Sequence, residues 1–461
     1  MAHSLSGMIA RMEDENGRFW YDYEGTFIED IRAVYEHEIR RLQRASPASE
    51  RTKSVTRDAM LTISPSKVLL NGEFDEVNRT MVSLLAAKWL WTEDYASFTR
   101  NQREAVKLPM KAFLALAQWF RATLKDPQDQ LLFVTLLVVH DLGKDSELVK
   151  ELNELKPKPE VNSSNNHDLL VLKAVESGLI DVVKKLDAEV QAGLVTCLRT
   201  GPTLSIGQLV QGENVPASLA PVLELQGKAS RYFDLKYFEQ VLDVAGVSGH
   251  VDHTGAAAYT LPVHRSFNAA YRSLRGIADG KFTLRQGYDS ILRDRGDQLR
   301  AKGFQPLDVD RDLDRAILGL LCMGKVTEPD TAELFLKAFK SLTPLARKQL
   351  TDGRSVDGID DVEAIIPYHM PILFLAALKL EKGLPEEKLK KYDRGEKVTT
   401  ALASLMRFLA QAFEGAAPRP GQKGSIKEKD MLFAKVIIDS QAFKNDPEIL
   451  DLLGFPEVSL V

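Results

Sequence analysis

The stretch Leu131 to Lys144, LLFVTLLVVHDLGK, most constrains what this chain can become. Nine mostly large apolar residues run without a polar face and stop abruptly at His140 and Asp141. A helix that is apolar all round must be covered on every side, so it calls for several other helices packed about it. At nine residues the run is far short of the roughly 18–20 that a membrane span needs. Its last turn opens onto two side chains that bind protons and metals. Either chemistry sits there or the pair is a hydrogen-bonded helix end, with Gly143 as a left-handed stop and Lys144 favouring the negative end of the helix dipole.

Helical periodicity recurs through most of the 461 residues. Phe27, Ile31, Val34, Tyr35, Ile39 and Leu42 share one face, with Glu29, Arg32, Glu36, Arg40 and Arg41 on the other. Further helices are expected over 74–91, 101–124 (bent or split at Pro109), 128–139, 146–155, 182–198, 233–244, 331–342, 367–380, 398–413 and 431–438. Another begins at His167-Asp168, with Asn166 as its cap. The segments 44–57, 156–166 (KPKPEVNSSNN, a candidate flap near His140) and APRPGQKGSIKEKD read as exposed loops. There is no internal repeat and no heptad run. The expected fold is mainly α: a multi-helix globular fold with irregular loops, an HD-like helical core being one form of it. It would be a single helical domain or two tightly packed lobes with a boundary near 325–330.

A hydrophobic share of 44%, a charged share of 27% and a net charge of −5 suit a globular protein and argue against indiscriminate coating of nucleic acid. The amino terminus, MAHSLSGMIARMEDENGR, lacks the pattern of a secretory signal. The two cysteines, Cys197 and Cys322, sit in apolar helical patterns without metal spacing. Together these features lead to an expectation of a cytoplasmic protein with no membrane partner.

Three clusters concentrate titratable groups. His140-Asp141, with His167-Asp168 as a second pair, resembles the motif of HD-domain metal-dependent phosphohydrolases, in which such a pair holds a divalent metal that activates water. That family uses a further upstream histidine, and none lies between His37 and His140. His250, Asp252 and His253, in HVDHTG, pair imidazoles with a carboxylate that can fix a tautomer, or else form a polar turn bonded to its own backbone. Asp357, Asp360, Asp361 and Glu363, in VDGIDDVEAIIPYHMP, stand ahead of an apolar stretch read as a helix, where they would cap it or hold a cation. His369 follows, either as a polar handle or as a half-buried histidine. A basic run carries Arg265, Arg272, Arg275, Lys281, Arg285, Arg293, Arg295, Arg300 and Lys302 among Phe267, Tyr271, Phe282 and Tyr288. It suits either an RNA backbone with stacked bases or a solvated helix face.

With HDLGK, DHTGAAAY and DDVEAIIPYH as fixed points, nearly the whole chain resembles a fungal family of arginine-containing cyclodipeptide synthases, enzymes of secondary metabolism. The resemblance implies an aminoacyltransferase that joins arginine from arginyl-tRNA to a second residue from another aminoacyl-tRNA, releasing a 2,5-diketopiperazine without a cofactor. It implies catalytic work for His250, Asp252, His253, Asp360, Asp361 and Glu363. Substrate binding would fall to Asp357, Arg272, Arg275, Arg285, His140 and Asp141. The family's acidic motif has the form DDxxE, and Asp360-Asp361-Val362-Glu363 is one residue shorter. The Rossmann-like sheet and serine nucleophile of bacterial cyclodipeptide synthases are not legible here. The rival reading is an HD-like phosphohydrolase or diiron oxygenase with a divalent metal on His140, Asp141, His167 and Asp168.

Overall fold

A computed structural model describes residues 4–14, 17–46, 62–155, 166–380, 394–454. The fold is mainly α, as expected, with two short strands among the described residues. The chain divides into two compact units. The first comprises 1–203 and 224–268, the second 204–223 and 269–461, so the division falls at crossings other than the expected 325–330. No helix among the described residues is long and apolar enough to cross a membrane.

The first unit contains α1 (Glu24–Val34), α2 (Glu36–Ala45), α3 (Asp75–Trp91), α4 (Met110–Thr123), α5 (Pro127–Val139), α6 (Ser146–Glu154), α7 (His167–Glu176), α8 (Ala188–Leu198) and α9 (Ser230–Gly246). The single helix expected across 27–42 is broken at Tyr35, whose backbone leaves the helical region (φ −114°, ψ 29°). Pro109 does not bend a helix but precedes one, as the cap of α4. Asp126 starts α5 by accepting the Gln128 N–H at 2.8 Å, with Pro127 in the first turn. From Gln130 to Val139 α5 is buried on every face. Its two polar groups there are satisfied: Tyr35 Oη lies 2.9 Å from Thr135 Oγ1, and Gln130 Oε1 accepts from the Trp20 indole at 2.8 Å. Trp20 stacks on Trp91 and meets Phe120 edge-on, which ties α3 and α4 into the same core.

Close approach of α9 to α3 depends on glycine. A Cβ at Gly246 would lie 2.1 Å from Ser83 Oγ, and one at Gly249 would lie 2.6 Å from the Asn78 carbonyl. The turn after α9 therefore rests directly on the backbone of α3. His250, just beyond it, is carried to the α3 face.

α10 (Leu261–Ala278) leads from the first unit into the second. The second unit continues with α11 (Leu284–Arg300), α12 (Asp312–Met323), α13 (Pro329–Ser341), α14 (Pro344–Ser355), β1 (Glu363–Tyr368), α15 (Met370–Leu378), α16 (Arg394–Ala412) and β2 (Ser425–Asp430). Leu320, Phe335, Phe339, Phe374, Leu402, Phe408 and Leu409 form its core. β1 and β2 pair in parallel, from Glu363 opposite Ser425 to Tyr368 opposite Asp430. This corrects two expectations: the acidic cluster precedes a strand rather than a helix, and the second half of APRPGQKGSIKEKD is a strand rather than a loop. β1 is buried through Ala364–Pro367, whereas β2 is an edge strand whose Lys427 and Lys429 discourage further pairing.

Candidate active site in the first unit

The end of α5 builds the centre of the site. His140 closes the helix with helical backbone angles, and its N–H reaches the Leu136 carbonyl at 3.0 Å. Its Nδ1 lies 2.9 Å from the Leu137 carbonyl. A carbonyl only accepts, so Nδ1 carries a hydrogen. Nε2 then faces two carboxylates, Asp243 Oδ1 on α9 at 3.4 Å and Asp141 Oδ2 at 3.5 Å. The His140 and Asp141 side chains are buried, while that of Asp243 is 42% exposed and opens the centre to solvent.

Burial by itself would lower the His140 pKa, but the charge of Asp141 and the hydrogen bond and charge of Asp243, with Glu239 behind them, raise it to about 10. This imidazole is a cation at neutral pH. Burial would likewise raise the Asp141 pKa; His140, Lys144 and His167 instead hold that carboxyl well below the usual range. Glu239 lies one turn before Asp243 on α9, buried and paired with Lys236 at 2.7 Å.

The second oxygen of Asp141 starts a polar chain. Lys144 Nζ lies 2.8 Å from Asp141 Oδ1 and 3.0 Å from Glu76 Oε2. Arg79 donates through Nη1 to Glu76 Oε1 at 2.7 Å, and its Nε donates to His250 Nδ1 at 3.3 Å. His250 thus accepts at Nδ1 as a neutral ring, and burial followed by the Arg79 charge lowers its pKa. The two histidine clusters, distant in sequence, therefore join through Lys144, Glu76 and Arg79. His167 Nε2 approaches Asp141 Oδ1 at 3.6 Å and Asp168 Oδ2 at 3.8 Å.

Gly143 serves a purpose other than the expected left-handed stop. It lies in a 3-10 turn without positive φ, and its Cβ would sit 1.9 Å from the His167 carbonyl oxygen. The absent side chain lets α7 start against the end of α5. Lys144 is likewise an ion-pair bridge rather than only a partner of the helix dipole. Asn166 caps α7 as expected, accepting the Leu169 N–H at 3.1 Å. The rest of the candidate flap, 156–165, lies outside the described residues, as does most of the expected loop 44–57.

Asp252 has a different setting from His250. Its Oδ1 accepts from Thr254 N at 3.0 Å and Thr254 Oγ1 at 2.7 Å, and its Oδ2 accepts from Asn101 at 2.9 Å. These bonds make the HVDHTG segment a closed polar turn at this residue. His253 Nε2 lies 2.8 Å from Thr62 Oγ1.

The acidic cluster belongs to the second unit. Asp357 accepts from Ile359 N at 2.9 Å, and Asp361 accepts from Val362 N at 2.8 Å and from Arg419 N. Those bonds shape the approach to β1 and leave Asp360 and Glu363 exposed. Within the basic run, Arg275 pairs with Asp279 at 3.0 Å, Arg285 with Asp289 at 3.0 Å, and Arg272 with Asp294 at 3.7 Å. Arg295 is buried and donates to the Val326 carbonyl at 2.9 Å. The aspartates interleaved in the run thus neutralise much of it.

Sequence reading did not single out Asp243, Glu239, Glu76 or Arg79. A signal for the first two existed: two carboxylates spaced i, i+4 inside the apolar pattern of α9 share one side of that helix.

A family model described as a family of unknown function (DUF6829) matches residues 28–450. No curated protein and no solved structure shows a significant match to the chain.

Proposed function

We propose that this chain, which belongs to the DUF6829 family of unknown function, is an aminoacyl-tRNA-dependent cyclodipeptide synthase that joins arginine to a second amino acid. Sequence resemblance selects the reaction; one observation in the first unit supports its chemistry. Two imidazoles in one polar network have opposite protonation preferences, His140 driven toward about 10 and His250 lowered. Environments that push paired titratable groups apart separate an acid from a base.

In this reading His250 takes, at Nδ1, the proton of the amine that attacks an aminoacyl ester; this is the lone pair that Arg79 Nε engages at 3.3 Å and gives up when substrate enters. A C–N bond forms, the ester C–O bond to the tRNA breaks, and cationic His140 supplies the proton to the departing hydroxyl. Asp243 and Asp141 keep His140 charged, and Lys144 and Arg79 supply positive potential for the developing oxyanion. A second attack of the same kind closes the ring. Arginyl-tRNA and a second aminoacyl-tRNA are the proposed partners.

The test is expression in a heterologous host followed by extraction of small molecules. An arginine-containing diketopiperazine is expected with the wild type and lost in His140→Ala and His250→Ala. A folded wild-type protein that yields none overturns the proposal.

One observation favours a second reading, a metal-dependent phosphohydrolase or oxygenase. One donor atom each from His140, Asp141 and Asp243 lie within 4.8 Å of one another. The donors fit a divalent cation: the Leu137 carbonyl sets the tautomer that turns Nε2 inward, and Lys144 occupies only Oδ1 of Asp141. Such an ion would supply an activated water. The set is nevertheless short of the upstream histidine of HD enzymes, none lying between His37 and His140. Stoichiometric iron, manganese or zinc in the purified wild type, lost in His140→Ala, would favour this reading over the first.

A further inference from the structure

We propose that the second unit docks an acidic amphipathic helix of a partner protein in the groove between α15 and two short helices, α17 (Lys435–Ile438) and α18 (Gln441–Asn445). The apolar face of the partner lies on α15, and its carboxylates meet Lys379 and Lys444. This surface is separate from the His140 centre and does not rest on the proposed reaction.

From Met370 to Leu378 α15 carries no polar side chain. A helix that is apolar all round must be covered on every side, as α5 is in the first unit. Among the described residues α15 is not. Leu373, Phe374 and Ala377 are sealed in the core of the second unit, whereas Ile372 is 41% exposed and Leu375 and Ala376 are half-buried. With Lys379 and Leu380 the outward residues fall at 372, 375, 376, 379 and 380, which is the spacing of one continuous helical stripe. Apolar residues scattered singly over a surface need no explanation, but a contiguous stripe marks a place of contact.

The facing wall comes from α17 and α18. Ser440 caps α18 by accepting the Phe443 N–H at 3.1 Å, and Ile438 and Phe443 anchor the two helices in the core. Between the walls runs a groove of about 670 Å³ whose apolar lining is Ile372, Leu375, Ala376, Leu380 and Ile438. The exposure of Ile372 leaves the groove open on its outer side. An acyl chain laid in it would stay half in water, whereas small apolar ligands favour sites that enclose most of their surface. An amphipathic helix has one apolar face to bury and keeps the other in solvent, which is what an open apolar groove accommodates.

Charge sets the sign of the partner. Lys379, Lys435 and Lys444 line the groove against one carboxylate, Asp439, which is already paired with Lys435. Lys379 and Lys444 form no ion pair among the described residues, and they belong to opposite walls. In a chain of net charge −5 this is a locally positive rim. A helix whose apolar stripe carries Asp or Glu on both flanks complements it. Exposed pairs of this kind add modest affinity each and serve mainly to select the partner.

Fluorescence anisotropy of a labelled synthetic peptide titrated with the full chain tests the inference. The probe is a helix former of about 15 residues with leucines at alternating three- and four-residue spacing and glutamates on both flanks. A second probe carries lysines in place of the glutamates. Saturable micromolar binding is expected for the first, weakening as salt rises, and at least tenfold weaker binding for the second. Ala376→Glu, which places a charge in the groove at a half-buried position, should weaken the first at least tenfold. Lys379→Glu combined with Lys444→Glu should reverse the preference between the probes, a result that misfolding cannot produce. No saturable binding of either probe at roughly 0.1 mM, equal binding of both, or an unreversed preference in the double variant overturns the proposal. Decanoate that binds where the peptides do not assigns the groove to a lipid and overturns it too. A wild-type dimer in sedimentation that Ala376→Glu dissociates assigns the groove to a second copy of the chain, with the same consequence.

Discussion

Asp243 Oδ1 lies 3.4 Å from His140 Nε2, joining the middle of the first unit's fold to a helix 103 residues further along the chain. Asp243, 42% exposed, brings this buried centre into contact with solvent. It also sets the charge of the buried ring together with Asp141. Asp243→Asn removes one of those two negative charges, leaving burial less opposed. The His140 pKa should then fall from about 10 by at least one unit, followed through its imidazole resonances by NMR titration. An unchanged value would mean that Asp141 and Glu239 hold the proton and that Asp243 has no electrostatic role.

Lys144 bridges Asp141, just past the end of α5, and Glu76 on α3, both buried carboxylates. Lys144→Met leaves both without their shared cation, at a cost of about 2–4 kcal/mol in urea unfolding. Glu76→Gln in the same chain should recover part of that loss, because one of the two stranded charges is gone. A double-mutant cycle with additive effects would show that the bridge carries no coupling.

Much of this centre was legible before any coordinates. The apolar run ending in His140-Asp141 marked a buried helix with a polar end, and that is where the network sits. Glu76 and Asp243 were not legible, because they are partners only through the packing of α3 and α9 onto α5, which residue spacing within one segment does not encode. Gly143 shows the same limit: a glycine after a helix suggests a left-handed stop, yet here it makes room for the His167 carbonyl. In the second unit β2 reads from sequence as a loop because SIKEKD offers a single apolar residue. An edge strand needs only one face to meet a partner, and its charges belong on the other. β1 reads from sequence as the start of a helix, because four consecutive apolar residues, all buried, carry no period that separates strand from helix.

Asp252 separates a structural role from a catalytic one. Its carboxylate accepts from Thr254 and Asn101 and braces the turn that carries His250. Asp252→Ala should lower stability by about 1–3 kcal/mol, since it strands a backbone N–H and an amide. Diketopiperazine yield per folded molecule should stay within about twofold, whereas His250→Ala should abolish it in a protein that melts near the wild-type temperature. Equal loss in both variants would return Asp252 to the reaction.

The packing of α7 onto the end of α5 leaves no room at Gly143. A methyl group there would meet the His167 carbonyl at 1.9 Å, inside any tolerable contact, so Gly143→Ala must push α7 away. The expected cost is about 2–4 kcal/mol in denaturant unfolding, in the range of severe overpacking. Displacing α7 also carries His167 away from Asp141, 3.6 Å distant in the native fold, and removes one of the cations that hold this carboxyl low. Asp141 should then titrate at a higher pH, so the acid-dependent loss of stability, which starts at the unchanged unfolded value, should be smaller and level off at a higher pH than in the wild type. A depressed carboxyl contributes stability above its unfolded value of 3.8 and loses it as the pH falls through the folded value, so a smaller depression confers less stability at neutral pH. A Gly143→Ala protein with wild-type stability and an unshifted acid limb would show that the helix end and α7 are not in mutual contact.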